Sequence, residues 1–316
     1  MNARVLVTRR LPPGGLAPLG AAGLDVVQRA DDTPFTPREL LDAVREVDAV
    51  VCVLTDRIDE ELLRASAGRL RVVGNVAVGY DNVDVVAADE LGIAVCNTPG
   101  VLDETTADLA FLLLLAASRR ASDSEDDLRT GRWTGFCMDA FLGTDVHGAT
   151  LGLVGYGRIG RAVARRAAGF DMHVLHHTRH DTGVPGWVAD LDGLLERSDV
   201  VSLHVPLTAD TRGLIDARRL ALMGPAAVLV NTARGAVVDE SALADALERG
   251  VIFGAGIDVY QREPEVHPAL LAAPHAVLLP HVGSATEQTR LRMTQLACDG
   301  VVTVLRGGRP PNLVTR

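Results

Sequence analysis

No lysine occurs in this 316-residue chain, and all 31 of its basic residues are arginines. Chemistry that runs through a lysine amine is therefore excluded: a Schiff-base aldolase, a pyridoxal-phosphate enzyme with its own lysine, a lysine-bearing P-loop. Anions must be gripped by arginine or by backbone N–H groups. Aromatics are scarce at 3%, while Ala, Val, Leu and Gly dominate. That composition suits helices packed closely on a parallel sheet better than an aromatic-rich β-sandwich. The four cysteines (Cys52, Cys96, Cys137, Cys298) form no C-x-x-C pair. Neither a zinc site nor a disulfide framework fits their spacing, so no metal is expected and buried free thiols in a reducing compartment are the plain reading. Long hydrophobic runs are missing too. The longest, residues 109–117, falls far short of the roughly 20 residues that cross a bilayer, and residues 1–10 hold no apolar h-region. A cytoplasmic protein with no membrane partner is expected.

The length points to two domains. Hydrophobic residues at 47% and charged residues at 23% are the profile of a globular protein. The formal charge of −10 works against binding DNA, RNA or anionic lipid.

Two series of short β-rich runs alternate with amphipathic stretches, the rhythm of parallel sheets. The first predicts strands over 4–8, 24–28, 49–54, 71–76 and 93–96, with helices such as 37–47 and 59–67. The second predicts strands over 151–154, 173–177, 200–204, 227–231, 254–257 and 277–279, with helices such as 159–168 and 241–249. Asn97-Thr98-Pro99-Gly100 punctuates the break. A buried helix over 106–118 follows it, and a helix over 287–305 precedes a Gly/Pro-rich tail. Periodicity alone thus reads as two sheet-and-helix domains in succession.

Gly155-Tyr156-Gly157-Arg158-Ile159-Gly160 is a G-x-G-x-x-G between an apolar strand and an amphipathic helix. In that context Gly155 permits the tight turn, Gly157 lets the backbone approach a pyrophosphate, and Gly160 lets helix and strand pack closely. The N–H groups of Arg158, Ile159 and Gly160 then open the helix toward the phosphates. The following strand normally ends on an acid that binds the adenosine ribose of NAD. Here it ends Thr178-Arg179-His180, with no acid until Asp181. A carboxylate repels a 2′-phosphate, whereas a hydroxyl followed by a guanidinium favours it. NADP(H) is therefore expected over NAD(H).

Three further segments place polar groups just after buried strands, where open α/β sheets collect ligands. They are Asn231-Thr232-Ala233-Arg234-Gly235, Asp258-Val259-Tyr260-Gln261-Arg262-Glu263-Pro264 and Pro280-His281-Val282-Gly283-Ser284-Ala285. With Val78-Gly79-Tyr80-Asp81-Asn82-Val83-Asp84, His204-Val205-Pro206-Leu207-Thr208 and the glycine turn, they recur in order along nearly the whole chain. On these motifs the chain resembles the D-isomer-specific 2-hydroxyacid dehydrogenases. It is most similar to the bacterial glyoxylate/hydroxypyruvate reductases, including those that reduce 2-ketogluconate; Gly143-Thr144-Asp145-Val146-His147 and the acid-free Thr178-Arg179-His180 fit that branch.

The resemblance implies two Rossmann/flavodoxin-like doubly wound parallel-sheet domains with the active site in the cleft between them. It also revises the domain reading. Residues 285–316 return to residues 1–99 as a substrate domain, and 100–284 form the dinucleotide-binding domain. The implied reaction is NAD(P)H-dependent reduction of a small 2-keto acid. Arg234 would hold the substrate carboxylate and polarise the C2 carbonyl, His281 would protonate the carbonyl oxygen, and Glu263 would orient and charge His281. Backbone N–H groups at Val78 and Gly79 would share the substrate carboxylate. Cofactor contacts would come from Thr106 at the start of its helix, from His204, Val205, Pro206 and Thr211 on the adenine-ribose side, and from Thr232, Ala233, Arg234, Asp258, His281 and Gly283 on the nicotinamide side. The imidazoles of His147, His176, His177, His204, His267 and His275 are read as structural or solvent-facing. A homodimer is implied, with residues 122–142, carrying Trp133 and Phe136, as the contact segment. Two alternatives stay open: a nucleotide-sensing, corepressor-like protein without significant turnover, and another dehydrogenase on the same scaffold, such as a formate or phosphite dehydrogenase. Which keto acid is used does not follow from these residues.

Overall fold

Short runs of β-branched and aliphatic residues, each bounded by a polar or glycine turn, are what a sheet covered on both faces requires. The computed structural model describes residues 2–315; Met1 and Arg316, the outermost positions of the expected substrate domain, lie outside the described residues. The chain divides into two compact units, Met1–Leu102 with Ser284–Arg316, and Asp103–Gly283.

The first unit carries β1 (Arg4–Val7), β2 (Asp25–Gln28), β3 (Ala49–Cys52), β4 (Val72–Asn75) and β5 (Ala94–Cys96). All pair in parallel in the order β2-β1-β3-β4-β5, the flavodoxin-like arrangement. β3 and β4 are buried along their whole length. β3 stops two residues short of the expected 49–54 because the Asp56 carboxylate takes the N–H of Val53 at 2.8 Å. Between the strands run α1 (Ala17–Ala21), α2 (Pro37–Val44), α3 (Glu60–Ala65) and α4 (Val85–Glu90). α2 starts with a full capping box: Thr36 accepts from Glu39 N–H, and the Glu39 side chain accepts in return from the Thr36 N–H. The C-terminal helix Glu287–Leu305 is capped by Thr286 and buries Met293, Ala297, Cys298 and Val301. The tail beyond it is more than a Gly/Pro-rich end. Val314 donates to the Val95 carbonyl at 2.7 Å and Cys96 bridges Leu313 antiparallel, so the tail covers the β5 edge.

The second unit opens with α5 (Asp103–Ser118) and α6 (Ala121–Arg129). It continues through β6 (Thr150–Val154), α7 (Arg158–Ala167), β7 (His173–His177), α8 (Leu191–Glu196), β8 (Val200–Leu203), α9 (Ala217–Met223), β9 (Val228–Asn231), α10 (Glu240–Glu248), β10 (Gly254–Ile257), α11 (Pro268–Ala272) and β11 (Ala276–Leu278). The six strands are parallel in the order β11-β10-β9-β8-β6-β7. The order reverses between β6 and β8, and such a switch point is where a doubly wound sheet opens a crevice at the carboxyl ends of its strands. Two apolar clusters fill the unit, one built on α5 and α7 and the other on α8, α9 and α10. α5 begins three residues earlier than the expected 106–118, so Thr106 sits within its first turn rather than at its start. Among the described residues, no helix is long and apolar enough to cross a membrane. Cys52, Cys96 and Cys298 are buried as expected, but Cys137 is exposed, because it lies in the irregular segment after α6 that no sheet or helix covers.

Candidate active site

The turn that leaves β6 at the switch point is built as its glycines require. Gly155 lies at φ +96°, and an added Cβ there would overlap the His204 carbonyl. At Gly160 an added Cβ would overlap the Gly155 carbonyl, so both glycines serve close packing. Gly157 differs: a Cβ there would meet nothing within 4 Å. It is also the N-cap of α7 and supplies no side-chain cap, so the helix N-terminus presents its first N–H groups to open space. The opposite wall of the turn is the segment after β8. His204 shares a hydrogen bond with Ser202 at 2.9 Å, and desolvation lowers its pKa to about 4, which keeps the imidazole neutral. Thr211 folds back onto the Pro206 carbonyl at 2.6 Å and fixes the 206–211 turn beside Val205.

β7 ends at His177, and Thr178 turns at once, donating to the His180 carbonyl at 2.7 Å. Arg179 is exposed, and the Asp181 carboxylate accepts from the Gly183 N–H within its own turn at 2.8 Å. No acid therefore closes the end of β7. Tyr156 stacks on His176 with ring centroids 4.0 Å apart, a contact that the sequence does not announce.

The catalytic candidates follow β9, β10 and β11. After β9, buried Asn231 clasps its own turn: its amide donates to the Arg234 carbonyl and its oxygen accepts from Ala233 N–H, both at 3.0 Å. The Thr232 hydroxyl is buried and has no hydrogen-bond partner among the described residues. A buried hydroxyl that the chain leaves unsatisfied is one that a polar ligand group can complete. After β10, Asp258 holds the histidine turn by three bonds. Its carbonyl accepts from His281 N–H at 2.8 Å, and its carboxylate accepts from Val282 N–H at 2.8 Å and Gly283 N–H at 2.9 Å. Burial raises the Asp258 pKa against those bonds and the His281 charge. Thr106 donates to the Gly283 carbonyl at 3.3 Å from α5.

His281 sits at φ +54°, a left-handed conformation uncommon for a side chain of that size. Its Nδ1 lies 2.8 Å from Glu263 Oε2. A carboxylate accepts only, so Nδ1 carries the proton of this bond and Nε2 faces the other way. Burial, the largest single influence, pushes Glu263 up. The bond to His281, the imidazolium charge, the Tyr260 N–H and the Arg234 charge together outweigh it and hold Glu263 below its ordinary range. Arg234, Glu263 and His281, far apart in sequence, are thus within electrostatic reach of one another.

Val78 and Gly79 belong to the loop after β4 in the first unit. There the amides of Asn97 and Asn75 hold the carbonyls of Val78 (2.8 Å) and Gly79 (2.9 Å), which sets the orientation of those peptides. Sequence reading missed both asparagines, and it missed Glu240 and Tyr260 around the Glu263 turn; a buried acid or amide has no local signature.

A nicotinamide dinucleotide fits what these residues offer. The open Gly157, the uncapped α7 N-terminus and the orphaned Thr232 hydroxyl are each suited to part of it.

The chain is similar over its whole length to known proteins. Residues 111–283 match the family model described as "D-isomer specific 2-hydroxyacid dehydrogenase, NAD binding domain". A glyoxylate reductase of Thermococcus litoralis is 43% identical over 326 residues, covering 100% of this chain and 98% of the relative. A Thermus thermophilus protein of solved structure superposes with a TM-score of 0.92 at 46% identity, covering 99% of this chain and 100% of that one. An NADPH-dependent glyoxylate/hydroxypyruvate reductase of Sinorhizobium meliloti, solved with NADP and malonate, gives a TM-score of 0.87 at 37% identity over 99% of this chain and 97% of its own.

Proposed function

The chain belongs to the D-isomer specific 2-hydroxyacid dehydrogenase family and is an oxidoreductase that reduces 2-keto acids with NAD(P)H; from that premise we propose that glyoxylate or a keto acid of similar size is its substrate and NADPH its preferred cofactor. The His281–Glu263 pair at 2.8 Å carries the reading, because keto-acid reduction needs a proton donor at the carbonyl oxygen. Bound nicotinamide supplies the hydride. Everything else is the work of the chain.

Arg234 takes the substrate carboxylate with its guanidinium fork and draws charge toward the carbonyl oxygen. His281, its Nδ1–H held by the Glu263 carboxylate, gives its Nε2 proton to that oxygen as general acid and recovers one from solvent after each turnover. In the oxidative direction the neutral imidazole takes the proton back. Asp258 holds the turn that presents His281, and it is suited, with Thr232, to the nicotinamide carboxamide. Peptide N–H groups at Val78 and Gly79 are assigned to the substrate carboxylate. The pyrophosphate is assigned to the turn from Gly155 to Gly160.

The cofactor preference rests on the end of β7, where Thr178 and exposed Arg179 stand in place of an acid. A guanidinium on a 2′-phosphate contributes about 1.5–3 kcal/mol, roughly 10- to 150-fold. Arg179→Ala is therefore expected to lower kcat/KM for NADPH by that factor and to leave NADH within about threefold. Steady-state rates with glyoxylate and each cofactor decide it. Equal or better use of NADH by the unmodified enzyme contradicts the NADPH assignment and leaves the reductase standing.

The protein is further assigned as a cytoplasmic homodimer. Trp133, Phe136 and Met138 are 53%, 85% and 81% exposed, in an irregular segment after α6 where a second subunit would cover them.

A further inference from the structure

Three carboxylates surround the turn after β10, and the mechanism uses the side chain of only one as a partner for His281. Glu263 reaches the imidazole, and Asp258 staples the histidine turn. The third, Glu240, is 6% exposed. It opens α10 directly after the N-cap Asp239, whose own carboxylate accepts from Ala242 N–H at 3.1 Å. Glu240 is therefore not needed to cap its helix. A buried carboxylate that captures no partner is costly, and this one is aimed away from its helix, accepting the N–H of Gln261.

The Tyr260–Gln261 peptide is where the catalytic segments meet. Gly235, next to Arg234, packs so tightly on it that an added Cβ would overlap both the Tyr260 carbonyl group and the Gln261 nitrogen. The Tyr260 N–H donates to Glu263 Oε1 at 3.0 Å, fixing the carboxylate from the side opposite His281. The Tyr260 hydroxyl donates to the Leu279 carbonyl at 2.9 Å, two residues before His281. The Gln261 side chain ties the same turn to the Val238 carbonyl at 2.7 Å. Gly235 beside Arg234, the Glu263 carboxylate and the strand end that leads to His281 are thus each in contact with the Tyr260–Gln261 pair, through its shared peptide, the Tyr260 N–H and the Tyr260 hydroxyl respectively.

Building on the reaction assigned above, we infer that Glu240 and Tyr260 are positioning residues: Glu240 clamps the Tyr260–Gln261 peptide from α10, and Tyr260 ties it to the strand end that leads into His281. Neither touches the reacting atoms. Their effect is on how well Glu263 meets the imidazole, and so on how readily His281 holds its proton. Burial, with the nearby charges of Asp258, Glu263 and Glu240, raises the Tyr260 phenol to about 12, so the hydroxyl stays a donor throughout the working range of pH. The charged groups facing the His281–Glu263 pair are Asp258 and Arg234, with Glu240 behind the turn.

The test compares Glu240→Gln, Glu240→Ala and Tyr260→Phe in the full-length enzyme, reading kcat, KM, NADPH affinity and the pH profile of kcat/KM. A glutamine oxygen still accepts from the Gln261 N–H, so Glu240→Gln is expected to stay within about threefold of the parent. Glu240→Ala frees the peptide. Displacing catalytic groups by about 1 Å costs on the order of 100-fold, so kcat is expected to fall about 10- to 100-fold with NADPH affinity within about twofold. The alkaline limb of reduction is expected to move to lower pH, because a misplaced Glu263 favours the imidazolium less. Tyr260→Phe, which removes one hydroxyl and keeps the ring, is expected to shift the limb the same way with a loss of about 3- to 10-fold. It keeps the inference testable if Glu240→Ala does not fold. An unmoved limb in both Glu240→Ala and Tyr260→Phe overturns the inference, whatever happens to thermal stability. Glu263→Gln separates this failure from a deeper one. If that variant also leaves the limb in place, the assignment of the site itself is wrong. If it moves the limb and the other two do not, only the positioning role falls.

Discussion

His281→Asn is expected to lower kcat for keto-acid reduction by about 10²- to 10⁴-fold, the range over which a positioned general acid acts. Asparagine is the informative replacement. It tolerates the left-handed backbone that His281 adopts at φ +54°, so the turn held by Asp258 should survive. Its amide can still donate a hydrogen bond to the carbonyl oxygen but cannot release a proton to it. The loss therefore isolates proton transfer from polarisation. NADPH binding, followed by the change in its fluorescence, is expected to weaken far less than kcat falls, and the thermal midpoint to stay within a few degrees. The pH profile carries the sign. In the parent, reduction is expected to fall as pH rises, because a general acid is consumed in its protonated form. In His281→Asn that limb should vanish. Retention of both kcat and the limb would remove His281 from the chemistry.

The second large effect is at Arg234. Removing one partner of a desolvated charge pair costs about 2–5 kcal/mol, roughly 30- to 5000-fold in kcat/KM. Arg234→Gln is expected to fall within that range, with most of the loss in KM if the carboxylate contact dominates and in kcat if carbonyl polarisation does. Arg234→Lys retains the charge and loses the planar fork, so it should recover only part of the difference. Because Asn231 clasps the turn through backbone groups at 3.0 Å, neither substitution should unfold it. A kcat/KM within threefold of the parent for Arg234→Gln would contradict the assignment. The Arg234 charge is one of several influences that hold Glu263 low, so its loss should raise the Glu263 carboxyl toward the ordinary range.

The strands were legible in the sequence because parallel strands buried on both faces are continuous β-branched runs. All eleven lie within a residue or two of expectation, and β3 falls short where the Asp56 carboxylate intercepts the Val53 N–H. The glycine turn was legible because its three glycines do three distinct jobs in one fixed frame. Arg234, Glu263 and His281 became legible only together. Each follows a buried strand, but their meeting depends on the sheet order, which no local pattern contains. The return of the C-terminal helix to the first unit is equally invisible to periodicity and came from the resemblance. Least legible were the groups that act through the backbone. Glu240 and Tyr260, like Asn75 and Asn97, hold peptides that are close to them only after folding. In sequence Glu240 is one more acid at a helix start, where acids are common for reasons of the helix dipole.

A hydride delivered to the C2 carbon of a small 2-keto acid carries its isotope into the product. The most direct measurement supplies purified enzyme with glyoxylate and NADPH deuterated at both C4 positions, and reads the product by mass spectrometry. One deuterium on C2 of glycolate for each NADPH consumed is the predicted result. Tight NADPH binding with no labelled glycolate, nor any labelled hydroxy acid from hydroxypyruvate or 2-ketogluconate, would contradict it.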